Sequence, residues 1–384
     1  MATASPTRLL LAFALAGLLT HVYPVAGAFS YYEIHCRRKP WKWNTNATVP
    51  KDGIYVFSLR ADPLGWNKEQ MFDLEINGNN VFSAIAKGLK SSATAAVPVM
   101  AGDNVTVVGV CQGDAALSVA FVSPLTSAYT TAMSGATSIG VKPVSFQKKL
   151  IAEGWESIDT VTSFTVPTTG IYWVAARPVP GTGTTLVDVM NGQERLFTVC
   201  GEFTTYEKTG KAVSTSAAFH LMTGSTLELK LRSHSRWVTA KTMLSFVHLV
   251  GNQQPYAGNH YIAFTGRPAS NKDYSSSSNI AFERATTDYG GLYSNKVITI
   301  PIGGVYLISL RPDPKYFYPL SLRLHVNSDR EPKWSAYSEL SPSGQSVALK
   351  FVKGDTLSVR TWGRVESDSL WSVAFVQPLS LIHI

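Results

Sequence analysis

The sequence predicts an all-β protein in which one sandwich or barrel domain is used three times. Three observations carry this. A fifteen-residue stretch recurs as VPKDGIYVFSLRADP from Val49 to Pro63, VPTTGIYWVAARPVP from Val166 to Pro180 and IPIGGVYLISLRPDP from Ile300 to Pro314. Two further anchors follow each copy in the same order. Beyond the N-terminus, no segment sustains the i, i+3, i+4, i+7 apolar spacing of an amphipathic helix. The copies lie more than one hundred residues apart, so the repeating unit is a domain with its own core and not one turn of a solenoid.

Taken in order, residues 1–28 have the layout of a secretory signal: Arg8, the apolar run LLLAFALAGLL, then Ala26-Gly27-Ala28. The run is about a dozen residues against the roughly 20 needed to span a bilayer, and no later stretch is long and apolar enough. A secreted, extracellular chain beginning at Phe29 is expected. The first repeat carries two N-glycosylation sequons, Asn46-Ala47-Thr48 and Asn104-Val105-Thr106. Each copy of the recurring stretch reads Pro, two residues, Gly, a β-branched residue, Tyr, then an apolar run closed by Arg and a proline-containing turn. Pro presets φ, Gly is expected to supply the freedom to turn, and the residues after it suit a pleated surface. Alternating apolar runs follow, broken by Asn77-Gly78-Asn79, Asn191-Gly192 and Asn327-Ser328-Asp329.

The second anchor is a tight turn feeding a strand: AGDNVTVVGV from Ala101, TGSTLELKLR from Thr223 and KGDTLSVRTW from Lys353. The third closes each unit: SVAFVSPL from Ser118, MLSFVHLV from Met243 and SVAFVQPL from Ser372. These anchors place domains at 29–125, 126–250 and 259–379, with 251–258 as the clearest linker. Ser380 to Ile384 lie beyond the last strand.

The formal net charge is +8. The basic excess is shared by all three repeats, which argues against a dedicated nucleic-acid groove and is compatible with acidic glycans, anionic surfaces or simple solvation. Of the three cysteines, Cys36 and Cys111 lie in one repeat and can pair, closing a large loop worth about 4 kcal/mol on the chain-entropy estimate. Cys200 is then left over, either as a small buried hydrophobe or as the site of an intermolecular bond.

The order of anchors resembles the C1q-like domain, the globular head of complement C1q and a relative of the tumour necrosis factor fold. The third repeat carries the resemblance in Phe282, Pro301, Gly304, Tyr306, Gly354, Asp355 and Phe375. The second carries it in Phe146, Pro167, Gly170, Tyr172, Gly224 and Phe246, with Ser225 where Asp is expected. The first carries it in Pro50, Gly53, Tyr55, Gly102, Asp103 and Phe121. The resemblance implies three tandem jelly-roll β-sandwiches, C1q/TNF-like and without a collagen stalk, since no Gly-X-Y run exists. Phe29 stands where the later repeats have Phe146 and Phe282, so the first domain is expected to lack an N-terminal strand.

The central strands alternate apolar residues on both faces: Ile54 and Val56 against Tyr55, Phe57 and Leu59, and Val305 and Leu307 against Tyr306, Ile308 and Leu310. Strands of this kind are covered on both sides. C1q-like heads are trimers, so the resemblance implies either an intramolecular pseudo-trimer of the three repeats or a homo-oligomer of chains; loops covering their own sheet are the other reading. Arg60, Arg177 and Arg311 close the three copies, and an ion pair or exposed rim is favoured for them over contact with an acidic ligand.

No catalytic or phosphate-binding motif is present, and His35, His220, His234, His248, His260, His325 and His383 have no metal-ligand spacing. The chain is expected not to be an enzyme and to need no cofactor. Calcium is a lesser alternative resting on Asp62-Pro63 and Asp313-Pro314, which ordinary turn chemistry also explains. The expected role is a secreted C1q-like binding protein that recognises surfaces or glycans by avidity, as in innate-immune pattern recognition. Trp41 and Trp43, and Trp334 beside Lys333, are the ligand-contact candidates, with core packing as their other reading. The alternatives are a structural extracellular-matrix or secreted-coat protein and a TNF-like receptor ligand.

Overall fold

The computed structural model describes residues 31–378 apart from 38–40, 64–68, 88–90, 112, 126–128, 135–142, 152–153, 180–182, 205–208, 213, 233–237, 240–241, 250–260, 275–277, 314–319, 339–343 and 362. All regular elements among the described residues are strands, paired antiparallel. No helix among them is long and apolar enough to cross a membrane.

The first domain contains β1 (Tyr31–Arg37), β2 (Trp41–Thr48), β3 (Gly53–Pro63), β4 (Glu69–Ile76), β5 (Asn79–Lys87), β6 (Ser91–Val99), β7 (Asn104–Cys111) and β8 (Gly113–Ser123). They form an inner sheet, β1-β8-β3-β6, and an outer sheet, β2-β7-β4-β5. Chain order alternates between the sheets in the manner of a jelly roll.

The second domain contains β9 (Tyr129–Ser134), β10 (Phe146–Ile151), β11 (Gly154–Val161), β12 (Ser163–Thr165), β13 (Gly170–Arg177), β14 (Thr184–Asn191), β15 (Glu194–Thr204), β16 (Thr209–Ala212), β17 (Thr215–Leu221), β18 (Thr226–Leu231) and β19 (Met243–His248). Its sheets are β11-β10-β9-β19-β13-β17 and β12-β18-β14-β15-β16.

The third contains β20 (Ala263–Arg267), β21 (Lys272–Tyr274), β22 (Arg284–Tyr289), β23 (Tyr293–Ser294), β24 (Val297–Thr299), β25 (Gly304–Arg311), β26 (Leu320–Val326), β27 (Trp334–Ser338), β28 (Gln345–Phe351), β29 (Thr356–Arg360), β30 (Gly363–Val365) and β31 (Leu370–Pro378). Its sheets are β22-β20-β31-β25-β28 and β23-β24-β29-β26-β27, with β21 and β30 paired at the side. Three tandem jelly-roll sandwiches result.

The expectation of a missing first strand needs correction. β1 pairs with β8 as β9 pairs with β19 and β20 with β31. What the first domain lacks is the strand after it: β1 passes directly to β2 in the outer sheet, whereas the later domains add β10 and β11, or β22, to the inner sheet. Phe146 and Phe282 mark that added segment, so the absence of their counterpart was read as the loss of the wrong strand.

The recurring motif has a physical explanation in each copy. Tyr55, Tyr172 and Tyr306 bury their rings and donate their hydroxyls to the backbone oxygens of Lys51, Thr168 and Ile302, the residues after each Pro, at 3.0, 2.8 and 2.7 Å. One side chain thereby fills the core and ties down the turn. Gly53 and Gly304 do not supply a left-handed turn. A Cβ there would collide with the rings of Phe121 and Phe375, and with the oxygens of Ser123 and Gln377. The left-handed conformation belongs to the second anchor, at Gly102, Gly224 and Gly354, with φ of 92°, 83° and 93°.

Candidate functional site

Each sandwich has its own core, and a fourth apolar core lies between them. Fifteen of its buried residues are five sets of three equivalents on the inner sheets: Ile54/Ile171/Val305, Val56/Trp173/Leu307, Ala96/Ala218/Ala348, Ala120/Val247/Ala374 and Val122/Leu249/Val376. Ladder register establishes the equivalence at the centre, where Val56, Trp173 and Leu307 face Ala96, Ala218 and Ala348 on one side and Ala120, Val247 and Ala374 on the other. The three inner sheets thus meet around one pseudo-threefold axis within the chain.

The ring closes by a head-to-tail packing. β6 lies across β9, β10, β13 and β19, β17 lies across β20, β22, β25 and β31, and β28 lies across β1, β3 and β8. β6, β17 and β28 are sheet edges with backbone groups that need partners. The next domain supplies hydroxyls. The Ala96 N–H donates to Ser245 Oγ at 2.8 Å and the Thr131 hydroxyl donates to Ala96 O at 2.5 Å. One seam on, the Ala218 N–H donates to Ser372 Oγ at 2.9 Å and the Thr265 hydroxyl to Ala218 O at 2.6 Å. At the third seam the Ala348 N–H donates to Ser118 Oγ at 3.2 Å, and the position of the two threonines is Glu33. Met243 and Leu370 also cross their seams, joining the cores of the first and second domains respectively. Their equivalent at the third seam is Ala116.

Toward one end the axis face turns polar. Ser58 Oγ donates to Ser346 O at 2.5 Å, Ser92 Oγ donates to Gly344 O at 2.7 Å, and Ser216 and Ser346 share a hydrogen bond. The recurring arginines lie toward the same end, on β3, β13 and β25. Arg60 pairs with Asp62 at 3.1 Å, but Arg177 and Arg311 are 6% and 2% exposed. The exposed-rim reading fails for these two. Burial pulls Arg177 down to about 10, against an opposing pull from Asp73.

No protein-family model matches the chain, and no curated protein does. Solved structures similar to it include an archaeal-virus protein described by its triple jelly roll fold and turret assembly, at 9% identity and TM-score 0.18 over 93% of this chain and 85% of that one. A structure of Sulfolobus Turreted Icosahedral Virus aligns at 9% identity and TM-score 0.21 over 93% and 99%, and PNGF-II at 8% and 0.28 over 86% and 99%. Scores this low leave function to rest on the chain's own geometry.

The residues singled out in the sequence do not converge. Trp334 on β27 is buried in the third core, which removes it as a ligand contact; its neighbour Lys333 is exposed. Trp41 and Trp43 lie on β2, opposite Cys111 and Gly109 of β7, and their side chains fall outside the described residues. So do those of Cys36, Cys111 and Asn46. The backbone sets Cys36 opposite Ala115 in the inner sheet and Cys111 opposite Trp41 in the outer sheet. The two sequons are ladder partners, Asn46 facing Thr106 and Thr48 facing Asn104, with Asn104 exposed. Cys200 is buried on β15. Asp62 is engaged by Arg60 and Asp313 lies in the field of Arg311, a different role from the calcium ligand considered for them. Among the described residues no group of three His, Cys, Asp or Glu could hold a metal.

The axis hydroxyls were not recognised in the sequence. Ser118 and Ser372 stood inside the third anchor, so a signal was present, but small polar residues on a strand read equally well as solvent-facing.

Proposed function

We propose that the chain is a secreted, non-catalytic binding protein in which a C1q-like trimeric head is built from one polypeptide. The axis carries this reading: five sets of equivalent apolar residues seal the three inner sheets against each other, so the covered faces need no further chain. Three non-identical lobes then present different loops from one rigid particle, which suits recognition of an extended surface such as a glycan-bearing one. Avidity within a chain arises only where a ligand spans lobes, because each chain forms one head.

Light scattering of the secreted protein, with and without reductant, tests this. One chain per particle in both conditions is the expected result. A mass of three or more chains would overturn the self-contained head.

A second reading, a structural coat or matrix protein, is favoured by one patch. Met71, Val108 and Val110 are 48%, 38% and 44% exposed on β4 and β7; where the first domain has Val108 and Val110, the second has Lys230 and Arg232. Concentration-dependent assembly that V108K abolishes would move this reading to first place.

A further inference from the structure

We propose that the seam between the second and third domains is a binding site for an oxyanion, held by Arg195, Arg267 and Arg311. The group is a sulfate, phosphate or carboxylate, free or carried on an acidic glycan. Arg267 ends β20, Arg311 ends β25, Arg195 opens β15 from the other side of the seam, and Asp368 stands just before β31. Arg195 Nη2 lies 3.5 Å from Asp368 Oδ2 and Arg267 Nη1 lies 3.9 Å from Asp368 Oδ1. Both contacts are loose for charge-assisted hydrogen bonds. Arg267 donates through Nη2 to Leu196 O, and Arg311 through Nη1 to the backbone oxygen of Asp368. Neither Nε has a hydrogen-bond partner among the described residues.

The charges do not balance locally. Arg195, Arg284 and Arg311 all act on Arg267, against the single carboxylate of Asp368. Asp313 lies beside Arg311, where burial raises its carboxyl pKa and Arg311 opposes that rise. Burying cationic groups without full compensation is costly, and planar guanidinium forks suit the oxygens of an oxyanion. Access exists at the mouth, where the Arg195 and Asp368 side chains are 37% and 38% exposed. The other seams do not repeat the arrangement. At the first, Asn80 and Met133 take the places of Arg195 and Arg267; at the third, His35 takes that of Arg267.

The test uses the full secreted chain. Its melting temperature is followed in sodium sulfate and in sodium chloride at matched ionic strength, with calorimetric titration of sulfate and of a heparin-derived tetrasaccharide. R195A changes the half-exposed arginine, R267Q the deeper one, and R323A an exposed arginine on β26 as control. Sulfate is expected to raise the melting temperature above chloride, with affinity reduced at least tenfold in R195A and unchanged in R323A. Tetrasaccharide competing with sulfate identifies a glycan-borne group, and this arm alone rests on the recognition role proposed above; sulfate binding without it identifies a free anion. Equal responses to sulfate and chloride, or a sulfate response that survives both R195A and R267Q, would overturn the site.

Discussion

His248 occupies the position that Phe121 and Phe375 fill in the other domains. Phe121 and Phe375 each pack edge-on against the motif tyrosine at 5.3 Å, while His248 stacks on Tyr172 at 4.9 Å. Burial holds its imidazole below the ordinary value of 6.5, and the same holds for His220 and His325. The sign follows from linkage: as pH falls through about 6.5 the unfolded chain takes up protons that the folded chain refuses. Stability is therefore full above that pH and declines below it, by about 1.4 kcal/mol for each unit that a pKa is depressed. H248F installs the residue of the sister domains and removes one contributor. The drop in melting temperature between about pH 7.5 and about pH 5.5 is expected to be smaller in H248F than in the parent chain; an equal drop would assign the acid sensitivity to other groups. This site also marks where residue-level reading stopped. Phe246 was aligned with Phe121 and Phe375 because it is the aromatic residue in MLSFVHLV. The ladder instead pairs Tyr172 with His248, because Ser245 is the counterpart of Ser118 and Ser372, and in every domain the tyrosine faces the residue three positions after that serine. An aromatic residue shared by two sequence motifs does not fix their register.

At the scale of elements, the second anchor turns show how much of the fold was legible. Gly followed by Asp or Ser was read as a tight turn, and Gly102, Gly224 and Gly354 all adopt positive φ. Each turn is bound to the first anchor: Gly102 N–H donates to Val49 O, Gly224 N–H to Val166 O and Gly354 N–H to Ile300 O, all at 2.8 Å. The Asp103 and Asp355 carboxylates accept from the N–H groups of Met100 and Val352 at 2.7 and 2.9 Å, while Ser225 donates its hydroxyl to Met222 O at 2.7 Å. An L side chain in the left-handed region costs about 1–2 kcal/mol, and open space surrounds all three glycines. G224A is therefore expected to lose stability by about that amount from backbone strain alone. Urea denaturation with an unchanged m-value would confirm it, and an unaltered midpoint would refute it. The edge strands were harder to read. That β6 and β17 are capped by a neighbour's hydroxyls depends on contacts across 35 to 154 residues of sequence, which no local period encodes. The same limit concealed the arginine seam, whose members come from β15, β20, β25 and the turn before β31.

For the whole molecule, the apolar pattern on both faces of the central strands was legible and so was its meaning: a second cover. Which chain supplied the cover was not, because triads such as Val56/Trp173/Leu307 become neighbours only when the ring closes. The closure has a thermodynamic consequence. Each domain's inner sheet has one face in its own core and the other in the shared axis core, so unfolding any one domain exposes the axis faces of the other two. The three are then expected to unfold together, in one calorimetric transition whose van't Hoff and calorimetric enthalpies agree. Trp173 is the largest axis side chain, and it is 1% exposed. W173A opens a cavity in the core that the three domains share and is expected to cost about 3–5 kcal/mol. Its diagnostic effect is that the single transition moves as a unit. If W173A instead splits off the second domain and leaves the remaining heat absorption at the parent temperature, the domains are stabilised separately and the axis is only a contact surface. If the whole transition shifts, the axis is a fourth core, and the chain folds as one cooperative body of three jelly rolls.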